Sequence, residues 1–454
     1  MTQEQTSIQE WLELSHALQK KDHQKTRQMI DELQPYDLGQ LFFRLHDVFR
    51  KRFLSILTPI EIGQLLEELN INEQKEVIFA LGPVKTVQAL NQMSRDKVAD
   101  LLVELDPVQA QSLLKDMDRS EANKVQELLL YPEKTAGGLM TNEYVRVYEH
   151  YTVEQAITYL RQQAPTAETI YYIYVVNQNH QLVGVVSLRE LLIASSSAQV
   201  NDIMFERVIS VPTDLDQEKV AHLLEQYDFL AIPVVDANEK LLGIIMVDDI
   251  IDVLIEEAHE DIAHLSAITP GEKEVLTHPF QSVRRRIPWL ILLLFIGMIT
   301  ANLLNLFEGT IEVLPVLTLF MPMIAGMTGN TATQSLAIII RGLASKELHK
   351  GNIRKVIRQE SMVGMLIGLV CSLFIIVMIS IWKHSVELGM VVGASLFFTL
   401  LIGTFVGTIT PILLNKWNVD PTVASGPLIT TLNDVFSLMI YFGLATFFIN
   451  YLLT

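Results

Sequence analysis

A single cysteine, Cys371, set in an apolar run, leaves no disulfide framework, no CxxC redox pair and no thiolate metal site. Positive charge is equally scarce in the first 280 residues, where 23 Lys and Arg stand against 45 Asp and Glu, a net of −22. Such a surface repels nucleic acid and anionic lipid, so neither is expected as a partner there, and cations are its natural ligands. No basic start, apolar stretch and small-residue cleavage site opens the chain, which predicts a cytoplasmic front part. A nucleophile with its base, a phosphate loop and an HExxH are also missing, which argues against an enzyme. Long apolar runs are absent before residue 284 and dominate after it, so two solvents are implied.

What is present begins with a repeat. Leu33-x-Pro35, Leu57-x-Pro59, Leu81-x-Pro83 and Leu105-x-Pro107 recur every 24 residues. Proline is tolerated at the first helical position, and an amphipathic segment follows each one, so each unit is expected to start a helix there. A second helix per unit is expected behind Asn72, Ser94 and Ser120 as caps. Helix pairs repeated in this way predict a stacked α-helical domain over residues 1–136.

From about residue 137 the pattern turns to β-branched alternation and a second repeat appears. LVGVVSLREL at 182–191 matches LLGIIMVDDI at 241–250, and Val175-Val176 matches Val234-Val235, both at an offset of 59. Each copy reads strand, helix, strand, strand, helix, and the pair resembles tandem CBS domains, 137–198 and 199–256. That resemblance implies an α/β module whose cleft can hold adenosine ligands such as ATP. Tyr172, Arg189 and Phe229 stand where an adenosine would stack and its phosphates be met, while Glu190 replaces the aspartate expected for the ribose.

The last helix of the second copy continues past the length such a helix needs, which predicts a connecting helix over 248–279. It leads through Arg284, Arg285 and Arg286 into apolar spans at about 288–307, 313–340, 361–382, 390–414 and 426–451. Five spans put the amino terminus in the cytoplasm and the carboxyl terminus outside. Arg284 to Arg286, Arg341, Lys346, Lys350, Arg354, Lys355, Arg358 and Lys416 then all fall inside and only Lys383 outside.

Within these spans Asp434 is the one carboxylate, and an ionisable group at such depth is a functional candidate by default. A helix-locking carboxyl paired with Asn433 is the structural alternative. GMTGNTATQS at 326–335 forms a polar island in which irregular backbone is expected to line a cavity, with small-residue helix packing as the alternative. Asp434, the Asn330 amide, hydroxyls, and carbonyls near Gly329 and Thr430 offer oxygen ligands only. Such a set suits a hard, hydrated divalent cation such as Mg²⁺, and oxygen ligands alone leave Mn²⁺ and Co²⁺ open.

The order of helical domain, CBS pair, connecting helix and five-span all-α membrane domain, with the motifs PxIAGxTGN at 322–330 and SGPLITTxxD at 425–434, resembles the MgtE family of magnesium transporters. The resemblance covers nearly the full length and implies a multi-pass inner-membrane homodimer that conducts Mg²⁺, with the pore between protomers and Asp434 on the ion. Where members of that family commonly read GNTGNQ, this chain has GMTGNT at 326–331, departing at Met327 and Thr331. The resemblance also assigns regulatory Mg²⁺ to acidic positions matching Asp216, Glu218, Asp228, Asp249, Asp252, Glu257, Glu260, Asp261 and Asp420, and to Glu61, Asp96 and Asp100. Several of these recur at three- and four-residue spacing along the connecting helix, where like charges oppose one another unless a counterion intervenes. Rising internal Mg²⁺ is then expected to neutralise the faces and close the pore. An alternative of another class is an adenine-nucleotide sensor with a membrane anchor; a regulated anion channel is disfavoured by the carboxylate and the span count.

Overall fold

The computed structural model describes residues 3–269, 279–345, 347–348, 351–417 and 419–449, in two units, Met1–Leu254 and Ile255–Thr454. In the first unit each repeat proline occupies the first turn of a helix: Pro35–Arg44, Pro59–Glu67, Pro83–Leu90 and Pro107–Asp116. A second helix completes each pair, at Asp47–Ile56, Ile71–Leu81, Arg95–Val103 and Arg119–Leu128. Leu41, Leu65, Ala89 and Leu113, again 24 apart, are the buried counterparts of the repeat. Their helices stack through them, each buried leucine contributing about 1.5–3 kcal/mol of transfer free energy. The caps lie elsewhere than expected at two positions. Asn70, not Asn72, forms a capping box with Glu73, and Asp118 rather than Ser120 starts the last helix. In both cases the polar residue two positions earlier sits at the non-helical boundary, where a cap must be.

The two α/β repeats follow. Strands β1 (Tyr144–Tyr148), β2 (Thr169–Val176) and β3 (Leu182–Ser187) form one sheet in that order; β4 (Val211–Pro212), β5 (Ala231–Val235) and β6 (Leu241–Met246) form the other. In each, the first pair is parallel and the second antiparallel. The repeats exchange their opening segments. Thr141 bridges to Ile244 on β6, and Phe205 bridges to Val185 on β3. Gly184 and Gly243, equivalent across the 59-residue offset, admit this crossing: a Cβ on Gly243 would lie 2.6 Å from the Thr141 carbonyl oxygen, and one on Gly184 would lie 2.5 Å from Met204 Sδ.

The helix after β6 runs Val247–Leu265 and stops there, short of the expected reach; residues 270–278 lie outside the described residues. Ala267 takes a left-handed φ of +55°, and the Ile268 and Ala267 N–H groups donate to the Ala263 and His264 carbonyls. This pattern closes a helix end. With alanine in place of the usual glycine, the stop is not legible in the sequence.

In the second unit, helices Pro279–Asn305, Ile353–Lys383, Val386–Lys416 and Gly426–Phe447 are long and apolar enough to cross a bilayer. Among the described residues four helices therefore qualify on composition, not five. Helix Met321–Ala344 has 24 residues, enough for about 36 Å, but its polar island keeps it out of that group. Contacts set its direction. Leu317 meets Tyr441, Gly329 meets Thr430 and Thr333 meets Gly426, so it runs antiparallel to the last helix. It runs parallel to Val386–Lys416, against which Thr328 meets Gly403 and Ala332 meets Gly407. Lys346 and Lys350 lie outside the described residues.

Candidate ion sites in the membrane helices and the acidic domain

The polar island stays helical, contrary to the expected irregular backbone. Thr328, Thr331 and Thr333 each donate to the carbonyl four residues back, at 2.7, 2.9 and 3.0 Å. Each hydroxyl is thus satisfied without opening the helix, and the Gly329 carbonyl is engaged by Thr333 rather than exposed. Gly329 serves close packing: a Cβ there would lie 3.1 Å from Thr430 Cγ2. The Thr430 hydroxyl donates to the Pro427 carbonyl at 3.0 Å.

Two faces of this helix pair differ in character. Inward, Asn433 is fully buried beside Gly403, and among the described residues neither of its amide atoms has a hydrogen-bond partner. Asp434, its neighbour, is partly exposed on the outer side, where Gly326 and Asn330 are exposed as well. Because the two helices are antiparallel and Gly329 meets Thr430, one turn further along brings Asp434 level with Ala325 and Gly326. Pairing of Asp434 with Asn433 is not observed. The sequence reading also overlooked a second carboxylate. Helix Ile353–Lys383 begins before the expected span and takes in Glu360, 7 % exposed, which accepts a 3.1 Å hydrogen bond from the Ser335 hydroxyl. At one end of the same bundle, Leu265 packs against the cluster of Ala332, Leu336, Ile340, Ala424 and Ile429.

In the first unit, Lys97 pairs with Asp249, and Asp96 and Asp100 share its helix, Arg95–Val103. The Lys97 Nζ lies 2.6 Å from Asp249 Oδ1. Asp96 is 8 % exposed and its Oδ1 has no hydrogen-bond partner. Burial, then the nearby Asp249 charge, pushes the Asp96 carboxyl up to about 7. Burial likewise raises Asp100 to about 6 and, with Glu143 and Asp249, raises Glu168 to about 7. Burial opposes the Lys97 charge, yet Asp249 and the two neighbouring aspartates hold its ammonium well above the ordinary lysine range. Glu143 and Glu168 are additional acidic neighbours that sequence reasoning missed; they lie more than 40 positions from Asp96, and only the fold brings them near. Lys97 is legible in RDKVAD, but its partner Asp249 lies 152 positions away and no local spacing signals the pair.

The other acidic candidates are dispersed. Glu61 completes the Thr58 capping box and pairs with Arg27. Asp216 caps helix Gln217–Tyr227, and Asp228 ends it in a left-handed conformation. Asp420 accepts from the Thr422 N–H at 2.8 Å and hydroxyl at 2.7 Å. Asp252 is exposed, Glu218 flanks the Asp216 cap, and Glu257, Glu260 and Asp261 lie along Val247–Leu265. Among the described residues no three His, Cys, Asp or Glu side chains are grouped to hold a metal.

Between the repeats lies a cleft of about 100 Å³, lined by Tyr172, Tyr174, Phe205, Arg207, Phe229 and Pro233 among others. Tyr172 and Phe229 stand as expected. The basic residue in the lining is Arg207; Arg189 is exposed on helix Leu188–Ile193. The Tyr174 hydroxyl is buried with no partner, and burial raises its pKa.

Comparison with known proteins gives matches along most of the chain. Residues 321–444 match the family model MgtE, a divalent cation transporter; 15–134 match the MgtE intracellular N domain; 136–197 and 200–256 match CBS domains. The magnesium transporter MgtE of Bacillus subtilis is 46 % identical over 426 residues, covering 93 % of this chain and 94 % of that one. That of Thermus thermophilus is 43 % identical over 71 % of this chain and 72 % of its own. A crystal structure of the soluble part of a magnesium transporter covers 56 % of this chain and 99 % of that one, with 38 % identity and a TM-score of 0.53. The cytosolic domain of the Mg²⁺ channel MgtE in complex with ATP covers 54 % and 99 %, with 41 % identity and a TM-score of 0.52.

Proposed function

The chain belongs to the MgtE family of divalent cation transporters, and from that premise we propose that it conducts Mg²⁺ across the membrane as a homodimer, with Asp434 on the ion path and its acidic domain sensing internal Mg²⁺. The observation that carries the conducting half is the outer face of the antiparallel helix pair, where Asp434, Gly326 and Asn330 are accessible on one protomer. A carboxylate and an amide turned toward lipid are costly; turned toward a second copy they form a polar seam with two facing aspartates. Such a seam holds Mg²⁺ through its waters, because stripping the ion is expensive and tight binding would stop conduction.

The sensing half rests on Asp96, Asp100 and Asp249. Lys97 pairs with Asp249 across two helices, and the buried Asp96 beside them keeps an unsatisfied oxygen, so the contact between these helices is an acidic, hard-oxygen environment. An ion there would hold helix Arg95–Val103 against the start of Val247–Leu265, and Leu265 at the far end packs on the residues that open the last membrane helix. Ion binding thus biases a helix that reaches the membrane helices, favouring closure. Topologically, the amino terminus lies in the cytoplasm and the carboxyl terminus outside. The activity is transport, with no covalent step and no enzymatic role.

The Tyr172–Phe229 cleft takes an adenine nucleotide in this reading, ATP by analogy with the relative crystallised with it. The decisive experiment is Mg²⁺ flux into liposomes holding the Asp434→Ala protein: flux should fall to background, and a normal rate would remove Asp434 from the path.

A further inference from the structure

We infer that Tyr441 is a positioning residue for the ion path: its hydroxyl clamps helix Gly426–Phe447 in the register that sets Asp434 level with Gly326, and holds it there against the unpartnered amide of Asn433. The inference rests on the place of Asp434 on the ion path proposed above and names what fixes that aspartate.

Tyr441 is fully buried, and its hydroxyl donates to the Leu317 carbonyl at 2.7 Å, across 124 positions of sequence. The same carbonyl accepts from the Phe320 N–H at 3.1 Å, and the Phe320 carbonyl from the Ile324 N–H at 3.0 Å, so the clamp is continuous with the start of helix Met321–Ala344. Asp434 lies about two turns from Tyr441 on the same face of its helix. Elsewhere this helix pair meets through small groups: a Cβ on Gly329 would lie 3.1 Å from Thr430 Cγ2, and one on Gly426 would lie 3.5 Å from Thr333 Cγ2. Such contacts have no direction and tolerate a slide or a turn. Among the described residues no other hydrogen bond joins residues 315–344 to the last helix. The Thr446 hydroxyl does meet that of Thr310 at 2.7 Å, but Thr310 belongs to the short helix Glu308–Val313.

Asn433 supplies the opposing force. A Cβ on Gly403 would lie 3.2 Å from Asn433 Nδ2 and 2.9 Å from the Thr328 carbonyl oxygen, so a donor and an acceptor border one point, yet among the described residues the amide has no partner. An unpaired buried amide is costly, and a turn or slide of the last helix that satisfied it would lower the energy. Asp434 adjoins Asn433, so the same movement would carry the carboxylate away from Gly326 and Asn330. The Tyr441 bond resists because it is directional and weakens steeply once the helix moves. Mg²⁺ demands near-ideal octahedral geometry and keeps its waters, so the spacing that Tyr441 fixes bears on which ion is preferred as well as on how fast it passes.

The test measures Mg²⁺ flux into liposomes holding the full chain, and the Mn²⁺ concentration that halves it relative to the Mg²⁺ concentration giving half-maximal flux. That ratio is independent of how much protein is folded, so a merely structural loss would not move it. Tyr441→Phe, which keeps the ring, should lower it by about threefold or more, the equivalent of one ordinary hydrogen bond. Tyr441→Phe/Asn433→Leu, which also removes the amide, should return to within about twofold of the parent. An unchanged ratio in Tyr441→Phe overturns the inference, and so does a double variant that falls as far as the single one. Should Tyr441→Phe aggregate, adding Asn433→Leu should restore the parent's elution in size exclusion, and failure to do so counts against the clamp. If Asp434→Ala conducts at the normal rate, the ion-path reading itself fails and takes the inference with it.

Discussion

The Ser335 hydroxyl donates a 3.1 Å hydrogen bond to Glu360, joining two membrane helices through side chains that are both buried. A buried carboxylate that loses its donor bears the desolvation penalty without compensation. Ser335→Ala should therefore lower stability by about 1–3 kcal/mol, and Glu360→Gln, which keeps the acceptor, should cost less. Thermal unfolding in detergent reads both, and a Ser335→Ala midpoint equal to the parent would remove the bond from the account.

Close packing gives a sharper expectation at Gly407. A Cβ there would lie 2.2 Å from the Ala332 carbonyl oxygen, which is backbone on a helix and cannot turn aside. Gly407→Val should separate helices Met321–Ala344 and Val386–Lys416, costing about 1–3 kcal/mol or more. Gly326→Ala, where nothing lies within 4 Å, should be neutral to folding. Yield of folded protein by size exclusion distinguishes them.

The raised carboxyls make the acidic domain pH-sensitive in metal-free buffer. Asp96 and Glu168 titrate near 7 and Asp100 near 6 when folded, against about 4 unfolded. Folded groups then hold more protons than unfolded ones between these values, so their contribution is fully present below about pH 4 and lost as pH rises through 6 to 7. Each titrating group contributes a slope of about 1.4 kcal/mol per pH unit. Denaturant unfolding at pH 5 and pH 8 in EDTA should show the lower stability at pH 8, with Asp96→Asn flattening the difference.

The cleft between the repeats separates two arginines. Arg207 lines it and Arg189 does not. Phe229→Ala and Arg207→Ala should weaken ATP binding by about tenfold, an aromatic stack or a charged contact being worth about 1.4 kcal/mol or more. Calorimetry on Arg189→Ala beside Arg207→Ala decides which arginine meets the phosphates: the larger loss at Arg207 is expected from its place in the lining, and the larger loss at Arg189 would assign the contact there.

Local signals were enough for much of this protein. The 24-residue Leu-x-Pro spacing specifies helix starts because proline is compatible with a first turn, and the 59-residue repeat specifies paired sheets because each glycine-bearing strand recurs with its flanking valines. Asp434 stood out alone, since charge in an apolar run is costly wherever the helix turns. What the sequence could not determine depends on side chains meeting across long separations. Lys97 and Asp249 are brought together by domain packing, as are Ser335 and Glu360 by a helix pair. The helical persistence of the threonine-rich island depends on hydroxyls bonding back to their own helix, and the stop at Leu265 depends on a left-handed alanine. The charge concentrated in the first 280 residues was a property of composition, but the pairing of Lys97 with Asp249 was decided by the tertiary structure, because Coulomb energy depends on distance in space and not on position in the chain.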